Sequence, residues 1–283
     1  VQYALEAQEG EIINGCLVLK EEYYQASAFK GRKDFESVLA LRLKYVSKYM
    51  FRLAENLTTV IMPEAEGIAD GYSDQDNKVS GSFTLTKVQN CFFPKLRKVG
   101  SWAFFNKKIK ELNSDNFPNV QTIGEGAFYG CPLVSVDLPN LEAIGEQGFR
   151  YCEGLKSFSA PLLKLIGKWC FSQCSQLSSI RCKLEQENFI CYKCGNCPIC
   201  KMELQKCLQN TNQMKDEHNQ NTEMDMAKLD VVLKRFGVGI VAQQALDAQE
   251  GKIINSCLIL KEEYYQSNAF EGRQDFESVL ALR

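Results

Sequence analysis

The chain has 283 residues, of which 45% are hydrophobic and 24% are charged, and its formal net charge is −2. Because positive and negative side chains nearly cancel, the charge points to neither a nucleic-acid partner nor an anionic membrane. No apolar run approaches the roughly 20 residues that a membrane-spanning helix needs, so we expect membrane association only through segments outside this chain.

Two nearly identical segments lie at the ends of the chain. Residues 2–42 recur as residues 243–283, with about 32 of 41 positions identical. The second segment stops at Arg283 in the middle of a unit, and the chain opens at Val1 without a signal-peptide pattern. We therefore interpret the sequence as one complete module of a longer tandem array, followed at residues 241–283 by the start of a second copy.

Within the module, apolar residues recur at a spacing of mostly 22 to 24 residues, which is typical of a solenoid. These positions are Ile13, Phe35, Leu57, Leu85, Ile109, Leu133, Leu155 and Leu177. A phenylalanine follows many of them, and we expect the rings of successive units to stack in a ladder. The segment from Ser135 to Leu138 alternates polar and apolar residues, which predicts a short strand with one buried face.

The repeat is interrupted once and then ends. The polar residues 67–81 are predicted to be an inserted surface loop. The motif stops at Cys182, so we assign residues 1–182 to the solenoid and residues 183–207 to a cysteine-rich segment. Residues 208–240 are predicted to be a polar and helical linker. Apolar spacing from Met226 to Gln249 favours a helix that caps the solenoid or joins two modules.

The repeat motif resembles the BspA-type leucine-rich repeat. The pattern Leu-x-x-Ile-x-Leu-Pro, followed by Leu-x-x-Ile-Gly-x-x-Ala-Phe-x-x-Cys, fits residues 133–152 nearly throughout and residues 155–174 closely. Gly148 and Cys170 replace the usual alanine. The resemblance implies the α/β class, as a right-handed leucine-rich-repeat solenoid with a short-stranded parallel sheet on its concave side, here followed by a cysteine-rich helical linker. It implies no shared catalytic residues, and many members resemble surface or secreted adhesins of bacteria and parasitic protists.

Four cysteines of the cysteine-rich segment are separated by two residues each: Cys191, Cys194, Cys197 and Cys200. Two Cys-x-x-Cys pairs can hold one zinc ion, although most zinc folds separate the pairs by a longer loop. An iron–sulfur cluster fits less well, because the bacterial pattern has three residues before its last cysteine. Disulfides or free thiols are the interpretation that we favour. No cofactor is predicted apart from this possible zinc.

Other candidate groups are interpreted as structural. Gly124-x-Gly126 and Gly237-x-Gly239 lack the full spacing of a phosphate-binding loop, and His218 is interpreted as a surface residue of the linker. No Ser/His/Asp, Cys/His or carboxylate pair stands out at a suitable spacing, so we predict no enzymatic activity. The cysteines of the repeat motif are interpreted as small apolar fillers of the interior: Cys131, Cys152 and Cys174.

The outward strand positions on the concave face are the remaining candidate binding site. They include Ser37, Leu39, Thr59 and Ile61 in the first half of the solenoid. In the second half they are the predicted binding residues Ser135, Asp137, Ser157, Ser159, Ser179 and Arg181. We expect a non-enzymatic interaction or adhesion module, extracellular or at the cell surface, that binds a protein or glycan. The alternative is a cytoplasmic leucine-rich-repeat scaffold whose cysteine cluster binds zinc.

Overall fold

The computed structural model describes residues 10–74, 78–105 and 108–209, together with three helical residues: Val231, Val232 and Lys234. The predicted second copy at residues 241–283, His218 and most of the predicted linker lie outside the described residues. Among the residues described, no helix combines the length and the hydropathy of a membrane span.

A first sheet contains β1 (Glu11–Ile13), β2 (Cys16–Leu19), β3 (Ser37–Ala40), β5 (Thr59–Ile61) and β9 (Asn90–Phe92). β1 and β2 are antiparallel and are joined by Asn14 and Gly15, whose φ angles are 49° and 76°. Such a two-residue turn with two positive φ angles matches the twist of the flanking strands. From β2 onward all neighbours are parallel, and each strand comes from the next unit of the sequence.

A second sheet contains only two-residue strands, and all of them are parallel. They are β4 (Tyr45–Val46), β6 (Gly67–Ile68), β10 (Lys98–Val99), β12 (Thr122–Ile123), β14 (Ala143–Ile144) and β16 (Leu165–Ile166). The Ile-Gly pairs of the motif, which read as simple turns in the sequence, therefore end a second ladder of strands. Gly145 follows β14, and a Cβ atom there would lie 2.6 Å from the backbone nitrogen of Glu125 in the preceding unit. Close approach of successive units explains this glycine.

A third sheet continues the direction of the first and contains β11 (Glu111–Leu112), β13 (Ser135–Asp137), β15 (Ser157–Ala160), β17 (Ser179–Cys182) and β18 (Leu208–Gln209). All its neighbours are parallel and in register, so Ser135 lies opposite Ser157 and Ser157 lies opposite Ser179. β13 confirms the strand predicted from the alternation that starts at Ser135. No strand pairing joins β9 to β11 in the described chain, and the first and third sheets are separated at that point.

The predicted loop at residues 67–81 contains a small antiparallel hairpin of β7 (Tyr72–Ser73) and β8 (Val79–Ser80). In the unit that follows this hairpin, the buried position is not the one that we predicted from the sequence. Leu85, predicted to be an interior position, is 54% exposed, whereas Val88 is fully buried. The hairpin changes the spacing of this unit, and the interior position shifts by three residues.

The centre of the solenoid is a continuous stack of phenylalanine rings, which confirms the predicted ladder. Neighbouring ring centroids are 4.9–6.2 Å apart and the interplanar angles are 6–22°. The stack consists of Phe29, Phe51, Phe83, Phe104, Phe128, Phe149, Phe171 and Phe189. Because a single unit cannot bury its own ring, each unit depends on its neighbours for burial.

The cysteine-rich segment continues the solenoid beyond the end of the sequence motif. The ring of Phe189 stacks on Phe171 with centroids 6.2 Å apart, and the Trp169 N–H donates to the carbonyl of Ile190 at 2.7 Å. β18 then pairs with β17. Helical structure in this segment is limited to a 3-10 turn at Gln186–Asn188 and α1 (Leu204–Cys207). Residues 183–209 therefore form an irregular turn of the solenoid, the last one that the structure describes, rather than an appendage to it.

Candidate functional site

The outward face of the third sheet carries two ladders of polar side chains. Glu111 and three serines form the first ladder: Ser135, Ser157 and Ser179. The second ladder places Asp137, Ser159 and Arg181 side by side on consecutive strands. Asp137 and Arg181 are exposed, and the serines are half-buried. All six predicted binding residues thus lie together on one face of the third sheet, while the alternate positions of the same strands point into the core.

The first sheet does not present a similar surface. Leu39 and Ile61, which we predicted on the outward face, lie opposite each other in register and are both 0% exposed. Neither belongs to the hydrophobic core of the solenoid, which takes Val38 and Val60 from the same strands. Thr59 is also buried. The prediction that these positions line an open concave face is therefore wrong for this half of the solenoid.

A cleft of about 450 Å³ opens where the first and third sheets separate. Asn90 and Phe92 of β9 form one wall, and Glu111 of β11 and Asp115 form the other, with Val232 also lining the space. This cleft was not predicted from the sequence. The spacing gives no signal for it, because β9 and β11 start 21 residues apart, close to the regular period, whereas β11 and β13 start 24 residues apart and still pair.

The four clustered cysteines converge in space. The Sγ atoms of Cys191, Cys194, Cys197 and Cys200 all lie within 4.8 Å of one another, and all four are free thiols. Cys197 is fully buried and the other three are half-buried. Positive φ angles at Lys193 (58°) and Gly195 (80°) reverse the chain between these residues and bring the sulfur atoms together.

The electrostatic environment differs among the four thiols. Burial raises the pKa of the Cys191 and Cys197 thiols. Burial acts in the same direction on Cys194, but hydrogen bonds from the backbone N–H groups of Gln173, Cys197 and Asn196 outweigh it and lower the pKa of Cys194 to about 5. The Cys194 sulfur accepts from the Gln173 N–H at 3.5 Å and from the Cys197 N–H at 3.4 Å. The thiolate form of Cys194 is thus already favoured at neutral pH.

The comparisons with known proteins support the repeat architecture. Residues 77–189 match, in six copies, the family described as BspA type Leucine rich repeat region.

Residues 77–189 form a BspA-type leucine-rich repeat region.

Two solved structures are similar to this chain. One is the leucine-rich repeat protein of T. pallidum, with 19% identity over 58% of this chain and 78% of that one and a TM-score of 0.46. The other is a leucine-rich repeat protein from Bacteroides ovatus ATCC 8483, with 18% identity over 59% of this chain and 60% of that one and a TM-score of 0.28. The sequence matches none of the curated proteins with which it was compared.

The cysteines that end the BspA-type motif have a role that the sequence did not indicate. Each is buried, and its thiol donates to the carbonyl of a stacked phenylalanine in the preceding unit. The distances are 3.1 Å from Cys131 to Phe104, 3.2 Å from Cys152 to Phe128 and 3.1 Å from Cys174 to Phe149. Burial raises the pKa of the Cys152 and Cys174 thiols well above the usual value, so these groups stay protonated and keep their donor.

Proposed function

We propose that this chain is a non-enzymatic interaction module of a longer tandem-repeat protein and that it binds a protein or glycan on the outward face of the third sheet. The observation that carries the proposal is the ladder of Asp137, Ser159 and Arg181 on a sheet whose other side is fully packed. Leucine-rich repeat families are typically binding modules, and BspA-type domains are common in surface proteins. Both tendencies support a location at the cell surface or outside the cell.

The chemistry of this face suits a polar partner. Strands of one sheet are about 4.8 Å apart, so Asp137 and Arg181 lie roughly 10 Å apart with Ser159 between them. A partner that spans this distance can meet one charge of each sign and several hydroxyl groups. Such an arrangement favours hydrogen bonding to a peptide or sugar over contact with a uniformly charged polymer such as nucleic acid.

A charge-swap pair tests the face directly. The chain is presented to glycan arrays and to displayed peptide libraries, and each ligand that binds is measured again with the double variant Asp137→Lys/Arg181→Glu. The matched control is Glu153→Lys/Lys168→Glu, which makes the same exchange at exposed positions outside the strands. We expect at least about a tenfold loss of affinity for the first variant, equivalent to about 1.4 kcal/mol, and less than a twofold change for the control. Equal binding by both variants contradicts the proposed face.

The second candidate is a cytoplasmic scaffold with a zinc site, and the convergence of four cysteine sulfur atoms favours it, because zinc ligands must be reduced thiolates and reducing compartments preserve thiols. Antibody labelling of intact and permeabilised cells separates the two locations. Labelling of intact cells supports a surface module, whereas labelling that needs permeabilisation supports the scaffold.

A further inference from the structure

We propose that Cys191, Cys194, Cys197 and Cys200 bind a single zinc ion, and that this ion fastens the irregular last turn onto the end of the solenoid. This inference goes beyond the proposed binding function and does not depend on it. It concerns the opposite end of the third sheet from the cleft and is compatible with either location of the protein.

The geometry favours one zinc ion over the two alternatives for these cysteines, which are a pair of disulfides and an iron–sulfur cluster. A tetrahedral zinc–thiolate site with Zn–S bonds of about 2.3 Å places its sulfur atoms roughly 3.8 Å apart. The four Sγ atoms lie within 4.8 Å of one another, which needs only a small contraction around an ion. Two disulfides give no reason for all four sulfur atoms to meet at one point, and a cluster of several iron atoms holds its thiolates farther apart than a single ion does.

The backbone around Cys194 is arranged for a metal-bound thiolate. The Cys194 sulfur accepts from the N–H of Cys197, three residues later, at 3.4 Å. This return of the chain requires a residue with positive φ, and Gly195 supplies it at φ 80°. Lys193 has a φ of 58° in the preceding turn. Backbone N–H groups that donate to a metal-bound sulfur stabilise its negative charge and fix the orientation of the cysteine side chain, as hydrogen bonds to the ligands do at other metal sites.

The same residues link the cluster to the last regular unit. Gln173 donates its backbone N–H to the Cys194 sulfur at 3.5 Å and its side-chain amide to the Cys194 carbonyl at 3.3 Å. Asn196 donates to the side-chain oxygen of Gln173 at 2.7 Å. An ion held by the cluster is thus connected through Gln173 to the turn that carries Phe171 and Cys174.

A metal explains how this segment folds at all. Between β17 and β18 the chain has one 3-10 turn and one four-residue helix, and it buries few large side chains: Phe189 and Leu204. Short segments with little core commonly depend on a metal for stability, because binding energy then supplies folding energy. On binding, each cysteine of the cluster that is still protonated releases its proton to solvent. Four thiolates around one Zn²⁺ ion then give the complete site two negative charges, in the segment that also carries Lys193 and Lys201.

The test uses the full chain, purified under reducing conditions, with metal content measured by mass spectrometry. We expect one zinc ion per chain. Cys194→Ala and Cys197→Ala should each lower the zinc content at least tenfold. Cys170→Ala is the matched control, since it removes a buried cysteine outside the cluster and restores the alanine that is usual in the motif; it should retain one ion.

A second measurement does not depend on whether the variants fold. Co²⁺ is added to the unmodified, metal-free chain, and visible absorption is recorded. The intense bands of tetrahedral cobalt with thiolate ligands, saturating at one equivalent, support the site. Absence of these bands overturns the proposal, as does equal zinc content in the Cys194→Ala and Cys170→Ala variants. Iron with inorganic sulfide in the purified protein, or two stable disulfides among the four cysteines, also overturns it.

Discussion

Replacement of Phe149 by alanine measures how strongly the ring stack stabilises the solenoid. The side chain is fully buried, with its ring centroid 5.6 Å from that of Phe128, 6.1 Å from that of Phe171 and 5.7 Å from that of Phe158. A Phe→Ala change in a well-packed core costs about 3–5 kcal/mol. Since three ring contacts of about 0.5–1.5 kcal/mol each are lost as well, we expect a value near the upper end, roughly 4–5 kcal/mol.

Urea unfolding followed by circular dichroism gives this free energy, and a double-mutant cycle shows whether the stack is its origin. Phe128→Ala removes the adjacent ring, so its effect should couple to that of Phe149→Ala by about 0.5–1.5 kcal/mol. Phe29→Ala removes a ring at the far end of the same stack, and its effect should add to that of Phe149→Ala within about 0.5 kcal/mol. Leu165→Ala, at a side chain that is 69% exposed, serves as a control with an effect below about 0.5 kcal/mol.

Two results would refute the reasoning. A loss below about 1 kcal/mol for Phe149→Ala means that the ring is not confined by its neighbours. Equal coupling of Phe149 to Phe128 and to Phe29 means that the stability of the solenoid is not a sum of nearest-neighbour contacts.

Three further predictions concern single contacts, and urea unfolding measures each of them. Glu64 is buried and pairs with the partly exposed Lys44 and Lys95. Glu64→Ala should therefore lower the free energy of unfolding by roughly 2–3 kcal/mol. The control Glu55→Ala, which breaks an exposed pair, should lower it by less than about 1 kcal/mol. Gly145→Ala should cost about 1–3 kcal/mol, because the new Cβ meets backbone of the preceding unit, and an unchanged midpoint would contradict that packing. Burial raises the pKa of Asp70, but hydrogen bonds from Lys98 and from the backbone N–H and hydroxyl of Ser101 outweigh burial. The pKa of Asp70 therefore lies below its usual value. The unmodified chain should therefore have a higher free energy of unfolding than the Asp70→Asn variant at neutral pH, and this difference should disappear as the pH falls through the lowered pKa of Asp70. A difference that persists at low pH would contradict the prediction.

The regular part of the fold was predictable because one period controls it. A spacing of 21 to 22 residues places equivalent side chains above one another, and the stack through Phe128, Phe149 and Phe171 follows directly from it. Phe83 was missed because the hairpin before it changes the local spacing, although its ring lies in the same stack between Phe51 and Phe104. Periodicity locates residues only while the number of residues per turn stays constant.

The candidate sites were predictable only in part, for two physical reasons. Alternation along a strand shows which side chains share a face, but it does not show whether that face is covered, so Leu39 and Asp137 looked equivalent and differ in exposure. The spacing of Cys191 and its neighbours likewise permits several states, because sequence separation does not fix the direction of each turn. The convergence of the sulfur atoms depends on positive φ angles at Lys193 and Gly195, of which only the glycine is visible in the sequence.

Within the described residues, the regular units of the solenoid are flanked on both sides by structures that differ from them. Before the regular units, β1 runs antiparallel to β2 and occupies the edge of β2 on which a further parallel strand would pair. After the regular units, the cysteine-rich turn covers the ring of Phe171 and adds β18, the last strand that the structure describes. Exposed sheet edges invite pairing with other chains, and terminal units of repeat proteins commonly prevent it.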